Sequence, residues 1–394
     1  MNKFAEIRNL FVSGDFRLAG FFPARIGRRG VAKWPVLLAF AVLVLAPPAR
    51  AFTINVTYDA SVTNLANAAQ VEAAFAAAAQ TFQSLYTNPA TANITVYWGN
   101  TGPFSGGIGL GASQTISLGV YTYADVTNAL RAARASAADN SSVASLPSSD
   151  PTGSDNWFIP TAEVKGLGLP DLDPNDPTTD GSIGFASNQS YTFDPTNRAV
   201  AGKYDFIGVA EHEISEVLGR IYGLNRSGNG YRPYDLFRFT NNAARSFSLT
   251  ATNVYFSVDN GATHSKSFYT NVSADIQDWA TSTPPDAFDA FGTLGAMEAL
   301  SVADVTALDV IGYNLRFIAS PRLTGVTLTN GGFRFGFTNT PGAIFTVLAG
   351  TNLSLSLNGW IVLGAPTEGP AGQYQFTDLQ SATNKQRFYR VRSP

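Results

Sequence analysis

The stretch from Ala210 to Arg220, Ala-Glu-His-Glu-Ile-Ser-Glu-Val-Leu-Gly-Arg, most constrains what this chain can fold into. Ile207, Ala210, Ile214, Val217, Leu218 and Ile221 recur at spacings of three and four, the period of one apolar helix face. Val209, His212, Glu216 and Gly219 form a neighbouring stripe. Asp205 supplies negative charge for the first turn, and Gly219 and Gly223 are natural exits. On such a helix His212 and Glu216, four residues apart, point the same way. A metal-hydrolase helix presents two ligands in this manner, and the Glu after the first ligand is the general base. Here Glu213 holds the base position, and Glu216 stands where a second His is usual. The plainer reading is an amphipathic helix with a solvated His-Glu-Glu edge.

The N-terminus reads as an address. Arg25, Arg28, Arg29 and Lys33 precede the apolar run Pro35 to Ala46, and Ala49-Arg50-Ala51 offers small residues around a cleavage point. Residues 1–51 are expected to be a secretory signal peptide cut after Ala51, with an apolar run too short to span a bilayer. The protein is therefore expected outside the cytoplasm, extracellular or periplasmic. The chain has no Cys, so neither a disulfide nor a thiolate ligand or nucleophile is available. The leader carries eight Lys/Arg against two Asp/Glu, so its removal takes the formal charge from -3 to -9. A chain this acidic, without a basic cluster, argues against nucleic acid and anionic membrane surfaces as partners.

Along the remaining chain, Phe52 to Tyr58 alternates as a strand and Val62 to Tyr86 has helical spacing. Asn93 to Gly99 reads as a strand, and Tyr123 to Ala138 as a helix followed by a Ser-, Asp- and Pro-rich loop. Ser182 to Ala186 and Tyr191 to Asp194 are short strand candidates. Ser301 to Gly312 opens as a capping-box variant, carries Val302, Val305, Leu308 and Ile311 on one face, and ends at glycine. From about Leu323 the texture changes to short alternating runs around Asn330-Gly331-Gly332, a hairpin signal. Further candidates are Ile344 to Leu348, Trp360 to Leu363, Tyr374 to Thr377 and Phe388 to Val391. This part contains no His and no catalytic constellation.

Between the two helices lie Asp235-Leu236-Phe237-Arg238, Tyr255-Phe256-Ser257-Val258-Asp259, Asp275-Ile276-Gln277-Asp278-Trp279 and Gly295-Ala296-Met297-Glu298. Taken in order with the His212 helix and the final helix, they resemble a group of secreted bacterial zincin metalloproteases. In that family a His-Glu-Ile-Gly-His-Ala-Leu-Gly helix precedes Asp-Leu-Phe-Arg and Tyr-Phe-Ser-Ile-Asp-Gly-Gly. A Ser-His-Trp element and an Asp-x-x-Ala-Leu-Asp-x-Ile-Gly helix follow. The resemblance covers roughly 204–313 and extends weakly back to Phe52.

The resemblance implies an α+β fold, with a zincin-like domain over residues 52–316, its mixed sheet lying over the long helix and the motif helix and Ser182 to Ala186 as a short edge strand lining the cleft. A small all-β, sandwich-type module over 323–394 follows; it is similar to β modules that end other secreted bacterial proteins. The resemblance also implies a peptidase acting on protein or peptide, with His212 as metal ligand and Glu213 as general base. Glu216 and Asp278 depart from the family, each replacing imidazole by carboxylate, and the paired change suggests that both share one ion with His212. Met297 is expected in a turn below the site, as in metzincins.

Zinc accepts carboxylate oxygen, although two carboxylates leave the ion nearly neutral and its water less acidic. The oxygen-rich set also relaxes the choice of zinc over other divalent metals. The alternative is an inactive zincin-like protein whose cleft binds or adheres.

Three other features carry weaker signals. His264 falls in a turn that is expected to be exposed. Asp171, Asp173, Asn175, Asp176 and Asp180 begin like a calcium loop but lack Gly at the sixth place and Glu at the twelfth. They are read either as a non-EF calcium site or as a solvated turn. Asp235 and Arg238 are expected to pair and order the loop after the motif helix.

Overall fold

The computed structural model describes residues 52–394, apart from 118, 171–178, 229, 272–273, 317–319, 330–331, 340–342, 344, 355–359, 371, 382–385 and 393–394. The fold is α+β. Strand β1 (Thr53–Tyr58) leads through a short helix α1 (Ala60–Thr63) into α2 (Ala68–Leu85). The expected single helix from Val62 is thus broken after Thr63, with Asn64 capping α1 and Asn67 opening α2. Every third or fourth residue of α2 is buried, including Val71, Phe75, Ala78, Ala79 and Phe82.

Strand β2 (Thr91–Trp98) is followed by β3 (Gly111–Thr115), α3 (Tyr123–Ala133), α4 (Ala137–Ser145), α5 (Thr161–Leu167) and β4 (Gly181–Phe185). The helix expected to reach Ala138 stops at Ala133, because Ser136 and Asp139 form a capping box that starts α4 afresh. The four strands form one sheet in the order β1-β2-β4-β3. β1, β2 and β4 run parallel, and β3 lies antiparallel along β4, pairing Gly111 with Phe185 and Thr115 with Gly181.

This corrects the expected edge. Ser182 to Ala186 falls mostly on β4, an inner strand buried at every residue, and the edge is β3. An inner strand covered on both faces reads as a continuous buried run, which is what β4 shows.

Strands β5 (Tyr191–Thr192) and β6 (Tyr204–Asp205) pair in parallel and deliver the chain to the motif helix α6 (Phe206–Val217). Phe206 packs on Phe185 of β4, ring centroids 4.4 Å apart, and Thr81 Oγ1 of α2 donates to Glu211 Oε1 at 3.0 Å. Asp205 acts as a buried brace: its carboxylate takes Arg198 Nε at 2.8 and 3.0 Å and the Glu298 amide at 3.0 Å.

Beyond α6 the chain is mostly loop, with a small sheet of β7 (Arg238–Asn241), β8 (Ala244–Arg245), β9 (Tyr255–Phe256) and β10 (Lys266–Ser267) in the order β10-β9-β7-β8. Its interior is aromatic: Trp279 lies 5.6 Å from Phe256 and 5.1 Å from Phe268, and its indole N–H donates to Asp304 Oδ1 at 2.6 Å. Asp304 belongs to α7 (Val302–Val310), which opens with the expected capping box between Ser301 and Asp304. The loop that carries Asp278 is therefore pinned by its neighbour Trp279 to the last helix of this core.

The C-terminal strands form a second apolar cluster. β11 (Thr324–Thr329) and β12 (Gly332–Thr338) pair antiparallel as the hairpin signal implied. β13 (Thr346–Gly350), β14 (Ile361–Gly364), β15 (Thr367–Glu368), β16 (Gln373–Asp378) and β17 (Phe388–Arg392) complete two sheets, β11-β12-β16-β15 and β14-β13-β17. Phe335, Phe337 and Tyr374 from the first sheet and Val347 from the second share the cluster. Among the described residues, no helix is long and apolar enough to cross a membrane. Residues 1–51, expected to be a signal peptide, and the acidic positions Asp171, Asp173, Asn175 and Asp176 lie outside the described residues.

Candidate metal centre

Helix α6 is buried nearly all round. Glu211, Glu213, Ser215 and Glu216 are as inaccessible as its aliphatic residues, which excludes a solvated His-Glu-Glu edge. A helix that buries charge must supply partners for it.

His212 Nδ1 lies 2.9 Å from the carbonyl oxygen of Ala287, an acceptor, so this nitrogen carries the hydrogen. Nε2 then points at two carboxylates, 3.5 Å from Glu216 Oε1 and 3.3 Å from Asp278 Oδ1. One donor atom from each of the three residues falls within 4.8 Å of the others. The structure thus brings together the three residues named as ligands from sequence, with Asp278 arriving on the loop anchored by Trp279.

The arrangement suits a small divalent cation. Ligand arms of about 2 Å set donors in a tetrahedral site roughly 3.3 Å apart, and the two separations from His212 Nε2 are close to that. They are longer than ordinary N–H···O hydrogen bonds. A backbone carbonyl that fixes the imidazole through its other nitrogen, as Ala287 does here, is the usual support of a metal-bound His.

Glu216 is held from three sides. Ser113 Oγ of the edge strand β3 donates to Oε2 at 2.7 Å, and Gln277 Nε2 donates to Oε1 at 2.8 Å. Arg220 Nη2 approaches Oε1 at 3.5 Å. Arg220 also donates from Nη1 to Asp278 Oδ1 at 2.7 Å and from Nε to Ser215 Oγ at 2.7 Å, with its carbon over the Phe288 ring at 4.3 Å. This guanidinium is fully buried, and the sequence reading gave it no role. Gly219 places it. At φ 121° Gly219 turns the chain after α6, and a Cβ there would come within 2.5 Å of Glu163 Oε2. Arg220 therefore runs back beneath the helix it follows.

These charges set the protonation of the group. Burial alone would raise Glu216, but the hydrogen bond and charge of His212, Arg220 and the Ser113 hydroxyl bring it down to about 2. Burial would lower His212, yet Asp278 and Glu216 push it well above its ordinary value. Burial raises Glu213 well above the carboxylate range, and the neighbouring Glu216 charge adds to this. Without an ion, the raised His212 and the Arg220 guanidinium therefore bring positive charge to the Glu216 carboxylate, and burial favours the protonated form of Glu213. A cation would displace the imidazole proton on binding.

Glu213, His212 and Asp278 line a cleft of about 350 Å³, bounded by Leu110 and Gly111 at the start of β3 and by Phe291 opposite. Gly111 makes room for Glu213: a Cβ on Gly111 would run into Glu213 Oε1 and come within 2.8 Å of Val209 Cγ1. Asp275 at the cleft is pushed to about 6, by desolvation first and by the Glu216 and Asp278 charges next. Glu298, another lining residue, is raised to about 7, chiefly by burial.

Of the other expectations, that of an exposed His264 is met and three are corrected. Met297 is half exposed and forms no floor to the site; its neighbour Glu298 is the buried one. His264 stacks on Tyr255 at 4.4 Å and meets Ser267 Oγ at 2.9 Å, an exposed ring with local partners. Asp235 and Arg238 do not pair with each other. Asp235 takes the amides of Gly223, Leu224 and Arg232, while Arg238 donates to the Ile276 carbonyl. Three backbone N–H groups meet one carboxylate more compactly than a flexible guanidinium does. Asp180 of the acidic loop is committed to Lys165, at 2.8 Å, and to the Asn93 amide. It is thus a buried structural anion and not part of a solvated turn.

Compared with protein-family models, curated proteins and solved structures, the chain matches none of the three.

Proposed function

We propose that this is an exported, zincin-like metallopeptidase whose His212, Glu216 and Asp278 hold one divalent cation, zinc by preference, and whose Glu213 is the general base. The observation that carries this reading is the position of His212, which lines an open cleft with its Nε2 3.3 Å from Asp278 Oδ1 and 3.5 Å from Glu216 Oε1. A cation there polarises a substrate carbonyl and makes water more acidic.

The chain's own residues do the rest. The antiparallel strand β3 is an edge of the sheet and its first residue, Gly111, lines the cleft, so an extended peptide entering there would add to β3 as a further strand. Glu213, seated against Gly111 of that strand, lies beside the scissile bond of a peptide bound in this way. A carboxyl whose affinity for protons is raised by burial is suited to take a proton from the attacking water and return it to the leaving amine. The all-β module, read as a sandwich, contributes no group to this chemistry. Secretion, read from the leader, would place the enzyme where extracellular or periplasmic proteins are its substrates.

A specific feature favours a second reading. Arg220 and a protonated His212 already face Asp278 and Glu216, so two positive groups meet two carboxylates without an ion. On that reading the cleft binds peptide without cutting it.

One assay separates the two: hydrolysis of an unfolded protein such as casein, with and without chelator, by the native protein and Glu213→Gln. The peptidase reading expects chelator-sensitive cleavage that Glu213→Gln abolishes, with folding and metal content retained. Absence of cleavage, with peptide binding unaffected by Glu213→Gln, would establish the binding reading instead.

A further inference from the structure

Two carboxylate ligands cancel the whole charge of a divalent cation, which weakens its pull on a carbonyl or a water. The buried Arg220 lies against both. Its Nη1 is 2.7 Å from Asp278 Oδ1 and its Nη2 3.5 Å from Glu216 Oε1, on the oxygens that face His212 Nε2. Guanidinium does not lose its proton in proteins, so the charge is permanent.

Nothing leaves this side chain free to move. Nε is tied to Ser215 Oγ, the ring of Phe288 covers one face, and the backbone amide of Arg220 donates to the Ser215 carbonyl at 3.0 Å. Gly219, with no room for a side chain beside Glu163, fixes the turn that delivers it. A brace for the helix end alone would need neither a second carboxylate nor burial of the charge.

We infer that Arg220 is a positioning residue and built-in counter-cation of the metal centre: it draws charge from the two carboxylate ligands and returns to the bound ion the positive character that they remove. This rests on the metal-centre reading above. The device has a cost in affinity. A fixed positive charge behind the ligands repels the cation, so the centre gives up binding strength to gain Lewis acidity. A purely structural arginine makes the opposite prediction, because its loss would disorder the ligands and weaken metal binding.

The test is the zinc dissociation constant of the purified full-length protein, measured by competition with a chelating indicator at fixed pH and salt. Arg220→Met is expected to bind zinc at least about tenfold more tightly than the native protein, since a unit charge a few Å away is removed. Arg220→Lys, which keeps the charge, should stay within roughly threefold of native. The pH profile of cleavage should move to higher pH in Arg220→Met and stay in place in Arg220→Lys. Should Arg220→Met fail to fold, Arg220→Gln makes the same comparison with a hydrogen-bonding amide. Zinc bound equally or more weakly by the neutral variants would overturn the inference and leave Arg220 as a brace. Zinc bound by the neutral variants alone would show that Arg220 replaces the ion, contradicting both the inference and the peptidase reading. Zinc bound by none of the proteins would remove the metal centre itself.

Discussion

Ser113 Oγ donates to Glu216 Oε2 across 2.7 Å, so the edge strand of the sheet and the motif helix share one carboxylate. The bond ties the backbone that would receive a substrate to a group that would hold the ion. Ser113→Ala leaves a buried carboxylate oxygen short of a donor. The expected cost is about 1–3 kcal/mol of stability, read by urea unfolding, together with weaker metal binding. An unchanged metal affinity would show that Glu216 keeps its orientation through Gln277 and Arg220 alone.

Gly111 faces Glu213 from the same strand. Gly111→Ala pushes a methyl group into the space that the Glu213 carboxylate occupies. Cleavage should fall by about 1.4 kcal/mol or more in kcat/KM, a factor of ten, while metal content stays at the native level. Equal loss of metal would mean that the whole helix had moved, not only the base.

Gly219 has a φ of 121°, and a side chain there meets Glu163 and Ile311. Gly219→Ala is expected to destabilise by roughly 1–3 kcal/mol from the backbone alone. A melting temperature within a degree of native would contradict the role of this turn in placing Arg220.

Asp309 supplies a pH dependence away from the metal centre. Burial, and then the charge of Asp139, raise it from 3.8 to about 7. A carboxyl raised in the fold contributes stability that is fully present below its unfolded value and is lost as pH rises through its folded value. The native protein should therefore lose up to roughly 4 kcal/mol relative to Asp309→Asn between pH 4 and pH 8. Urea unfolding of both proteins across that range measures the difference. A constant difference would show that Asp309 is ionised throughout.

The helices and the parallel strands were legible because burial writes itself into the chain as period. α6 shows it through Ile207, Ala210, Ile214 and Val217, and α7 through its capping residues. The edge strand β3 was not legible. Gly111-Ala112-Ser113-Gln114-Thr115 has no apolar alternation, because its residues face a helix at close range and a cleft. α4 and α5 escaped for a related reason: they are short, and α4 buries only Asp139 and Ser142.

At the site, His212 and Glu216 follow from helical spacing, whereas Asp278 was named only through a family resemblance, since no local pattern joins it to His212. Arg220 carried a signal that was passed over. An Arg four residues after a Glu normally reads as a solvated pair, but the intervening Gly219 turns it inward.

Whether His212, Glu216 and Asp278 hold a cation is decided by metal analysis of the purified protein. Native protein incubated with zinc and freed of excess ion should retain about one equivalent per chain, and His212→Ala should retain none while staying folded. Native protein that retains no zinc, manganese or other divalent ion, or a His212→Ala variant that retains as much as native, would contradict the account.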